Sequence, residues 1–422
     1  MPERMNSPRP MLSLDEALAL LAAGARPHRI TQTETVSTFD ALGRVLAQDV
    51  HSTLDVPPAD NTSMDGYALR AADVPLSGTV LPVSQRIPAG HVGHALLPGT
   101  AARIFTGGQV PAGADAVVMQ EQCDALAAPA AEGLGAVRVN AVPVAGQWIR
   151  RRGEDVRKGV AVLKPGQRLT PQALGLAASV GVGMLQVLRR PRVAIFSTGD
   201  ELMMPGEALR PGAIYNSNRF VLRALAQAAG CVPTDLGIVP DRLDATRAAL
   251  REAALHNDLI VTSGGVSVGE EDHLKPAAAA EGSVENWQIA MKPGKPLAFG
   301  QIRRPDGSVA LLVGLPGNPV SSFITWLLAV GTVLRTLQGM QAALPAGLPL
   351  RADFNWPKAD RRREFLRVQI NAQGGLSLFD NQSSGVLTSA VWADGLVDNP
   401  PGRAIAAGDT VRFLPLAELM TR

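Results

Sequence analysis

The chain has 422 residues, with 40 basic against 38 acidic and a formal net charge of +2. Hydrophobic residues make up 46% and charged residues 18%, too few charges for a disordered chain and enough apolar material for several buried cores. A near-neutral chain lacks the broad positive field of non-specific nucleic-acid binding, so any anionic ligand has to be held by a local cluster.

Met1 to Pro10 is polar and proline-bearing, without the apolar core of a secretory signal, so a cytoplasmic protein is expected. Residues 12–24 read as a helix with Ser13 as N-cap, Glu16 three residues on and Gly24 as its stop. Residues 45–56 look extended. Residues 57–150 carry short strand-like runs separated by proline and glycine turns, the pattern of a small β-rich domain. Thr170-Pro171 opens a second helix, and Met184–Leu188 reads as a strand. These features suggest that 11–56 and 151–187 form one discontinuous mixed domain, with 57–150 inserted as a β domain.

From 188 to 339 strands and helices alternate, which predicts a doubly wound, mostly parallel sheet. Apolar runs at Arg192–Ser197, Cys231–Val239, Leu259–Ser263, Leu297–Phe299 and Val309–Leu315 supply the strands. Helices are expected at Asn218–Gly230, at Asp244–His256 opened by Asp244, and from Pro319 to about Gln338. The longest apolar stretch, Phe323–Leu334, has 12 residues, short of the ~20 a membrane span needs, so no membrane partner is expected. Residues 340–422 return to β alternation, with Phe365, Arg367 and Gln369 against Leu366 and Val368, and predict a C-terminal β-barrel-like domain.

Ligands of such a sheet bind beyond the carboxyl ends of its strands. There the sequence delivers Glu201 after the first strand, Asp241 after the second, and Ser263-Gly264-Gly265-Val266-Ser267 leading to Asp272 after the third. Gly317-Asn318-Pro319 follows the last. Gathered carboxylates repel unless a cation sits between them, and Mg²⁺ takes one or two carboxylates plus substrate phosphates. Taken singly, each acid could as well be solvated. The glycine turn lets backbone N–H groups approach a phosphate, although it is neither a Walker loop nor a dinucleotide fingerprint. Asn318 is expected to cap the last helix, Pro319 to take its first position, and the helix end to offer N–H donors to an anion. Lys292 and Lys295, on the rigid loop Met291-Lys292-Pro293-Gly294-Lys295-Pro296, form a compact positive pair that suits an oxyanion, unless both are simply surface lysines. Cys123 and Cys231 make neither a disulfide framework nor a thiolate zinc site. By composition alone Arg150–Arg152 and Arg361–Arg363 read as solvated arginine runs.

Seven motifs in order give the chain a resemblance. They are NTSMDGYA from Asn61, IFTGG from Ile104, IRRRGED from Ile149, FSTGDEL from Phe196, SGGVSVGEED from Ser263, KPGKP from Lys292 and LPGNPVSS from Leu315. From about Ser13 to Leu416 the chain resembles the molybdopterin molybdenumtransferase family, which includes bacterial MoeA and the E domain of gephyrin. The resemblance implies an elongated homodimer whose cleft is shared between the α/β domain of one subunit and the inserted domain of the other. It implies insertion of molybdate into adenylylated molybdopterin with Mg²⁺-dependent release of AMP. The residues it marks are Asp65, Thr106, Glu201, Asp241, Asp272, Lys292 and Lys295 for the chemistry, with Glu201, Asp241 and Asp272 on the metal. Arg150, Asp155, Ser263, Gly264, Gly265, Ser267, Gly317, Asn318 and Ser384 would bind substrate, Ser383 being the alternative to Ser384. His273 stands where many members carry an aromatic residue. A molybdopterin adenylyltransferase and apo-molybdoenzymes would be protein partners. The α/β region is also similar to domains that adenylylate molybdopterin with ATP, and the gephyrin E domain clusters receptors. The inserted and C-terminal domains favour the insertion step over adenylylation, and the sequence shows no linker or partner domain that would point to a scaffold.

Overall fold

The computed structural model describes residues 11–128, 133–266 and 273–421. It contains two compact units, one comprising the N-terminal segment to Glu34, Gly43–Val45 and Val187–Arg422, the other Thr35–Leu42 and Leu46–Gln186.

In the larger unit Ser13 opens α1 (Leu14–Ala25) with a capping box: its Oγ accepts from the Glu16 N–H at 3.2 Å, and the Glu16 carboxylate accepts from the Ser13 N–H at 2.8 Å. The helix continues through Gly24, the expected stop, because that glycine serves another purpose. A Cβ there would overlap the Phe299 ring, so Gly24 marks a close approach rather than an end.

The alternating region folds as β1 (Arg192–Thr198), α2 (Ser217–Ala228), β2 (Val232–Val239), α3 (Leu243–His256), β3 (Leu259–Ser263), α4 (Leu274–Glu281), β4 (Gly282–Gln288), β5 (Met291–Lys292), β6 (Pro296–Arg303) and β7 (Val309–Leu315). Six of these strands form one sheet in the order β2-β1-β3-β7-β6-β4. The first four run parallel, β6 is antiparallel to β7, and β4 is antiparallel to β6. The expected parallel core is present and carries an antiparallel edge. Both faces are covered, one by α1, α2 and the later helical stretch, the other by α3 and α4, which is why Val193–Phe196 and Leu259–Ser263 are buried throughout. α3 begins at Leu243, and Asp244 does not open it: its carboxylate is taken by Arg242 at 2.8 Å.

The next helical stretch comprises α5 (Pro319–Thr325), a π segment at Trp326–Val330 and α6 (Gly331–Leu337). By length and composition its 19 residues could cross a membrane, but 89% of its apolar window is buried inside the fold, as in a core helix. The C-terminal part contains β8 (Leu348–Arg351), β9 (Arg363–Ile370), β10 (Leu376–Leu378), α7 (Leu387–Trp392), β11 (Gly395–Asn399) and β12 (Thr410–Pro415). Its sheet order is β5-β9-β11-β12-β8, with β10 beside β9. The short strand β5 belongs to this sheet and pairs in parallel with β9.

In the smaller unit six strands form one sheet, in the order 116–119, 66–69, 101–104, 79–87, 136–139 and 123–126. Its cores are small apolar clusters around Leu69, Val118 and Val137 on one side and Ile87, Ile104 and Val117 on the other. Thr170 caps the helix Pro171–Ser179 through its Oγ, which accepts from the Ala173 N–H.

Candidate active site

The parallel strands end level. Thr198 of β1 pairs with Val239 of β2, and Ser197 with Ser263 of β3, which in turn pairs with Leu315 of β7. Everything the sequence places after these residues therefore emerges at one edge. The lysine loop arrives there for a different reason. It precedes β6, and because β6 runs backward its first residues lie beside the end of β7, Ala298 opposite Gly314. The result is a cleft of about 920 Å³ lined by Glu201, Ser263, Gly264 and Gly265, by Lys292 and Lys295, by Gly317 and Asn318, and by Ser384. Ser383 lines the same cleft.

Gly264 and Gly265 have φ of +90° and +69°, and a Cβ on Gly264 would meet the Thr198 carbonyl oxygen at 2.7 Å. Only glycine suits that turn. Behind it, the hydroxyls of Ser263 and Ser197 are 2.9 Å apart and buried. Asn216, at the cap of α2, accepts from the Arg219 N–H at 3.1 Å; its Nδ2 is buried without a hydrogen-bond partner among the described residues. Asn218 donates to the Gly317 carbonyl at 2.7 Å and joins two walls of the cleft. Sequence reasoning does not mark either asparagine as a site residue. Their only local signal is the pattern Asn216-Ser217-Asn218 at a helix start.

The acids are arranged unevenly. Glu201 lines the cleft, its carboxylate folded over Gly199 so closely that a Cβ there would overlap it. Asp241 does not line the cleft; its N–H donates to Asp200 Oδ1 at 3.3 Å, which brings Asp200, an acid that sequence reasoning does not mark, into the group. Asp272 and Ser267 lie outside the described residues. Among the described residues no group of three or more His, Cys, Asp or Glu side chains could by itself hold a metal ion. His273 precedes α4, and its side chain makes no capping hydrogen bond.

The two lysines are not the equivalent positive pair that the loop sequence suggests. Lys292 is opposite Glu364 in the β5–β9 register; its Nζ is 3.1 Å from Glu364 and 3.6 Å from Asp360, and 5.7 Å from the centre of the Trp356 ring. Lys295 is exposed and forms no ion pair among the described residues. The C-terminal sheet thus supplies counter-charge to one lysine and leaves the other open. The run Arg361–Arg363 is only partly solvated. Arg362 lines the cleft and pairs with Asp360 at 2.9 Å, holding that carboxyl well below its usual range. Arg363 pairs with the buried Asp398 at 2.6 Å.

Asn318 takes the cap position of α5, but its side chain makes no capping hydrogen bond. One helix-end donor is already used, since the Val320 N–H donates to the Ser384 carbonyl at 3.0 Å. The expected open helix end is instead tied to the turn Ser383-Ser384-Gly385.

In the smaller unit the Thr106 N–H and hydroxyl both donate to Asp65 Oδ1, each at 2.7 Å, and these bonds lower the Asp65 pKa. Arg150 pairs with Asn61, and Thr62 accepts from the Gly107 N–H at 2.9 Å, so the Asp65, Thr106 and Arg150 turns share one short strand. Asp155 has an exposed side chain, and its N–H donates to the Val56 carbonyl at 3.0 Å. The neighbouring arginines are paired rather than merely solvated, Arg151 with Asp60 at 2.7 Å and Arg152 with Asp55 at 2.6 Å.

Residues 12–181 match the MoeA N-terminal region (domain I and II), 194–336 a probable molybdopterin binding domain, and 349–416 the MoeA C-terminal region (domain IV). A molybdopterin molybdenumtransferase of Haemophilus influenzae is 38% identical over 97% of this chain and 100% of its own length. A molybdopterin molybdenumtransferase 2 of Mycobacterium tuberculosis is 37% identical over 90% of this chain and 95% of its own. The crystal structure of a molybdopterin biosynthesis MoeA protein from Pyrococcus horikoshii superimposes with a TM-score of 0.78 at 27% identity, over 96% of this chain and 99% of that one. The chain belongs to the MoeA family of molybdopterin molybdenumtransferases, transferases of molybdenum cofactor biosynthesis.

Proposed function

We propose that this protein inserts molybdate into adenylylated molybdopterin and releases AMP in a Mg²⁺-dependent reaction. The observation that carries this reading is the meeting, on one cleft, of a glycine turn, a lysine loop, a helix start and an acid-bearing strand end. The exposed Lys295 would meet the incoming dianion, and Lys292, oriented by Glu364, would hold it from the other side. Gly265, with Ser267 beyond it, would offer backbone N–H groups to a substrate phosphate, while Ser263 and Gly264, whose N–H is taken by the Leu315 carbonyl, would shape the turn beneath it. Gly317, Asn318 and Ser384 would shape the wall opposite.

Glu201 in the cleft, with Asp200 and Asp241 joined beside it, fits an ion that takes one or two carboxylates alongside substrate phosphates. Asp272 is proposed as a further ligand on the family resemblance alone. Mg²⁺ held there would act as a Lewis acid toward the pyrophosphate oxygens. The dithiolene sulfurs belong to the substrate, so no cysteine ligand is required. In keeping with this, burial pushes the Cys123 thiol up to about 11, where it stays protonated.

We further propose a homodimer in which Asp65, Thr106, Arg150 and Asp155 of one subunit complete the cleft of the other. The division proposed is four-part: 11–56 with 151–187, 57–150, 188–339 and 340–422. A molybdopterin adenylyltransferase would supply substrate, apo-molybdoenzymes would receive product, and the setting would be cytoplasmic. The test is to incubate purified protein with adenylylated molybdopterin, Mg²⁺ and molybdate and to follow AMP. Molybdate-dependent release that falls sharply in Asp241→Ala is expected. Equal release without molybdate, or in that variant, would overturn the mechanism.

A further inference from the structure

The sheet of the smaller unit has a convergence of its own. Gly66 pairs with both Ile104 and Met119, and Ile104 pairs with Ile87, so four strands meet one edge at the same level. Just past that edge lie Asp65, Phe105-Thr106 and Gln120. One residue inside it, Arg86 and Arg103 stand directly opposite each other in parallel register, and Arg103 faces Tyr67 on its other flank. Sequence reasoning marks neither arginine. Like charges side by side on adjacent strands repel, so their placement asks for a reason.

No carboxylate offsets the pair. Other arginines of this unit have one: Arg151 has Asp60, Arg152 has Asp55 and Arg138 has Asp124. Arg86 and Arg103 form no ion pair among the described residues. Aromatic rings hold them instead. Both guanidinium groups lie 4.7 Å from the centre of the Phe105 ring, and that of Arg103 is also 5.2 Å from the centre of the Tyr67 ring. Arg103 is further oriented by donating Nη1 to the Gly66 carbonyl at 3.1 Å and Nη2 to Gln120 Oε1 at 2.6 Å. A ring holds a guanidinium without consuming its N–H groups, so Arg103 keeps further donors to spend. The exposed Arg86 makes no side-chain hydrogen bond among the described residues. The pair also borders the Asp65–Thr106 turn: after the two Thr106 bonds, the charge of Arg103 helps to lower the Asp65 pKa.

We propose that Arg86 and Arg103, gathered on the Phe105 ring, form a phosphate subsite that takes one phosphoryl group of the adenylylated substrate. The guanidinium fork matches phosphate oxygens, whereas an ammonium offers only a point charge. An arriving dianion also relieves the repulsion between the two cations, so each arginine strengthens the hold of the other. Molybdate is a second oxyanion with similar demands, but the lysine loop is read as its site. The two sources are separated by measuring each substrate's KM.

The inference rests on the proposed reading in which the Asp65–Thr106 turn serves a cleft shared between subunits. AMP release by the unaltered protein tests that reading. Calorimetry with inorganic pyrophosphate on the full-length protein reads the arginine pair without turnover. Arg86→Gln and Arg103→Gln are each expected to weaken pyrophosphate binding, and to raise the KM for adenylylated molybdopterin, about tenfold. The molybdate KM and kcat should stay within about threefold. Arg86 has no hydrogen bond to lose, so Arg86→Gln serves even if Arg103→Gln fails to fold, and its thermal midpoint is expected to hold or rise. Arg138→Gln removes the same charge from the same sheet away from this edge, and its constants should move less than about threefold. Unchanged pyrophosphate affinity in Arg86→Gln, a rise confined to the molybdate KM, a lowered midpoint accompanying the lost affinity, or equal loss in Arg138→Gln would each overturn the proposal.

Discussion

The ammonium of Lys292 lies 3.1 Å from Oε1 of Glu364, a carboxylate with 1% of its side chain exposed. The same carboxylate accepts from Trp356 Nε1 at 2.8 Å and from Asn399 Nδ2 at 3.4 Å. A loop of the α/β sheet is thereby fixed to the C-terminal sheet through one buried acid, and the pairing of β5 with β9 makes that contact a matter of register.

Lys292→Ala should therefore destabilise the protein as well as impair it. It leaves Glu364 buried with two neutral donors and without its paired ammonium, at a cost of about 1–3 kcal/mol. Adding Glu364→Gln removes the stranded charge and should return most of that stability without restoring activity. Urea unfolding of the two variants decides the matter; equal midpoints in the single and the double variant would contradict it.

Asp65 offers a pH test. Hydrogen bonds from the Thr106 N–H and hydroxyl lower its pKa, so the ionised form is favoured in the folded state. The associated stability is present above the unfolded pKa and is lost as pH falls through the depressed folded value. Thr106→Val removes the hydroxyl donor and keeps the N–H. The Asp65 midpoint, followed by carboxyl NMR, should move up toward the ordinary aspartate range; a midpoint that stays put would show that the hydroxyl bond is unimportant.

Gly294 of the lysine loop has φ of +105°, and a Cβ there would collide with the Thr325 hydroxyl. Gly294→Ala should cost about 2–4 kcal/mol through backbone strain and overpacking and should displace the loop that carries Lys292 and Lys295. A loss of molybdate-dependent turnover of tenfold or more is expected. Unaltered turnover and thermal midpoint would mean that the loop tolerates the shift.

Asp360 pairs with both Arg362 and Lys292, at 2.9 Å and 3.6 Å. Asp360→Asn keeps the shape and removes one negative charge from the cleft edge. Molybdate or phosphate should then bind about three- to tenfold more tightly by calorimetry. Weaker binding would mean that Asp360 matters by orienting Arg362 rather than by offsetting its charge.

What the sequence determined by itself was local or periodic. Ser13 and Glu16 lie three residues apart, so their capping box is legible as a word. The apolar stripe from Pro319 onward, the Thr170-Pro171 helix start and the alternation of strand and helix report elements whose stabilising contacts recur along the chain. Parallel strands of similar length end level, so strand order alone puts Glu201, Ser263 and Gly317 at one edge. Only the tertiary structure decided which charges are shared. Glu364 is 72 residues from the lysine it orients, and no periodicity links them. Arg367 reads like any polar residue of an alternating strand, yet both faces of β9 are covered and it is buried among neutral acceptors. Local sequence sets the backbone through near neighbours, whereas the electrostatics of a site depend on what distant segments bring against it.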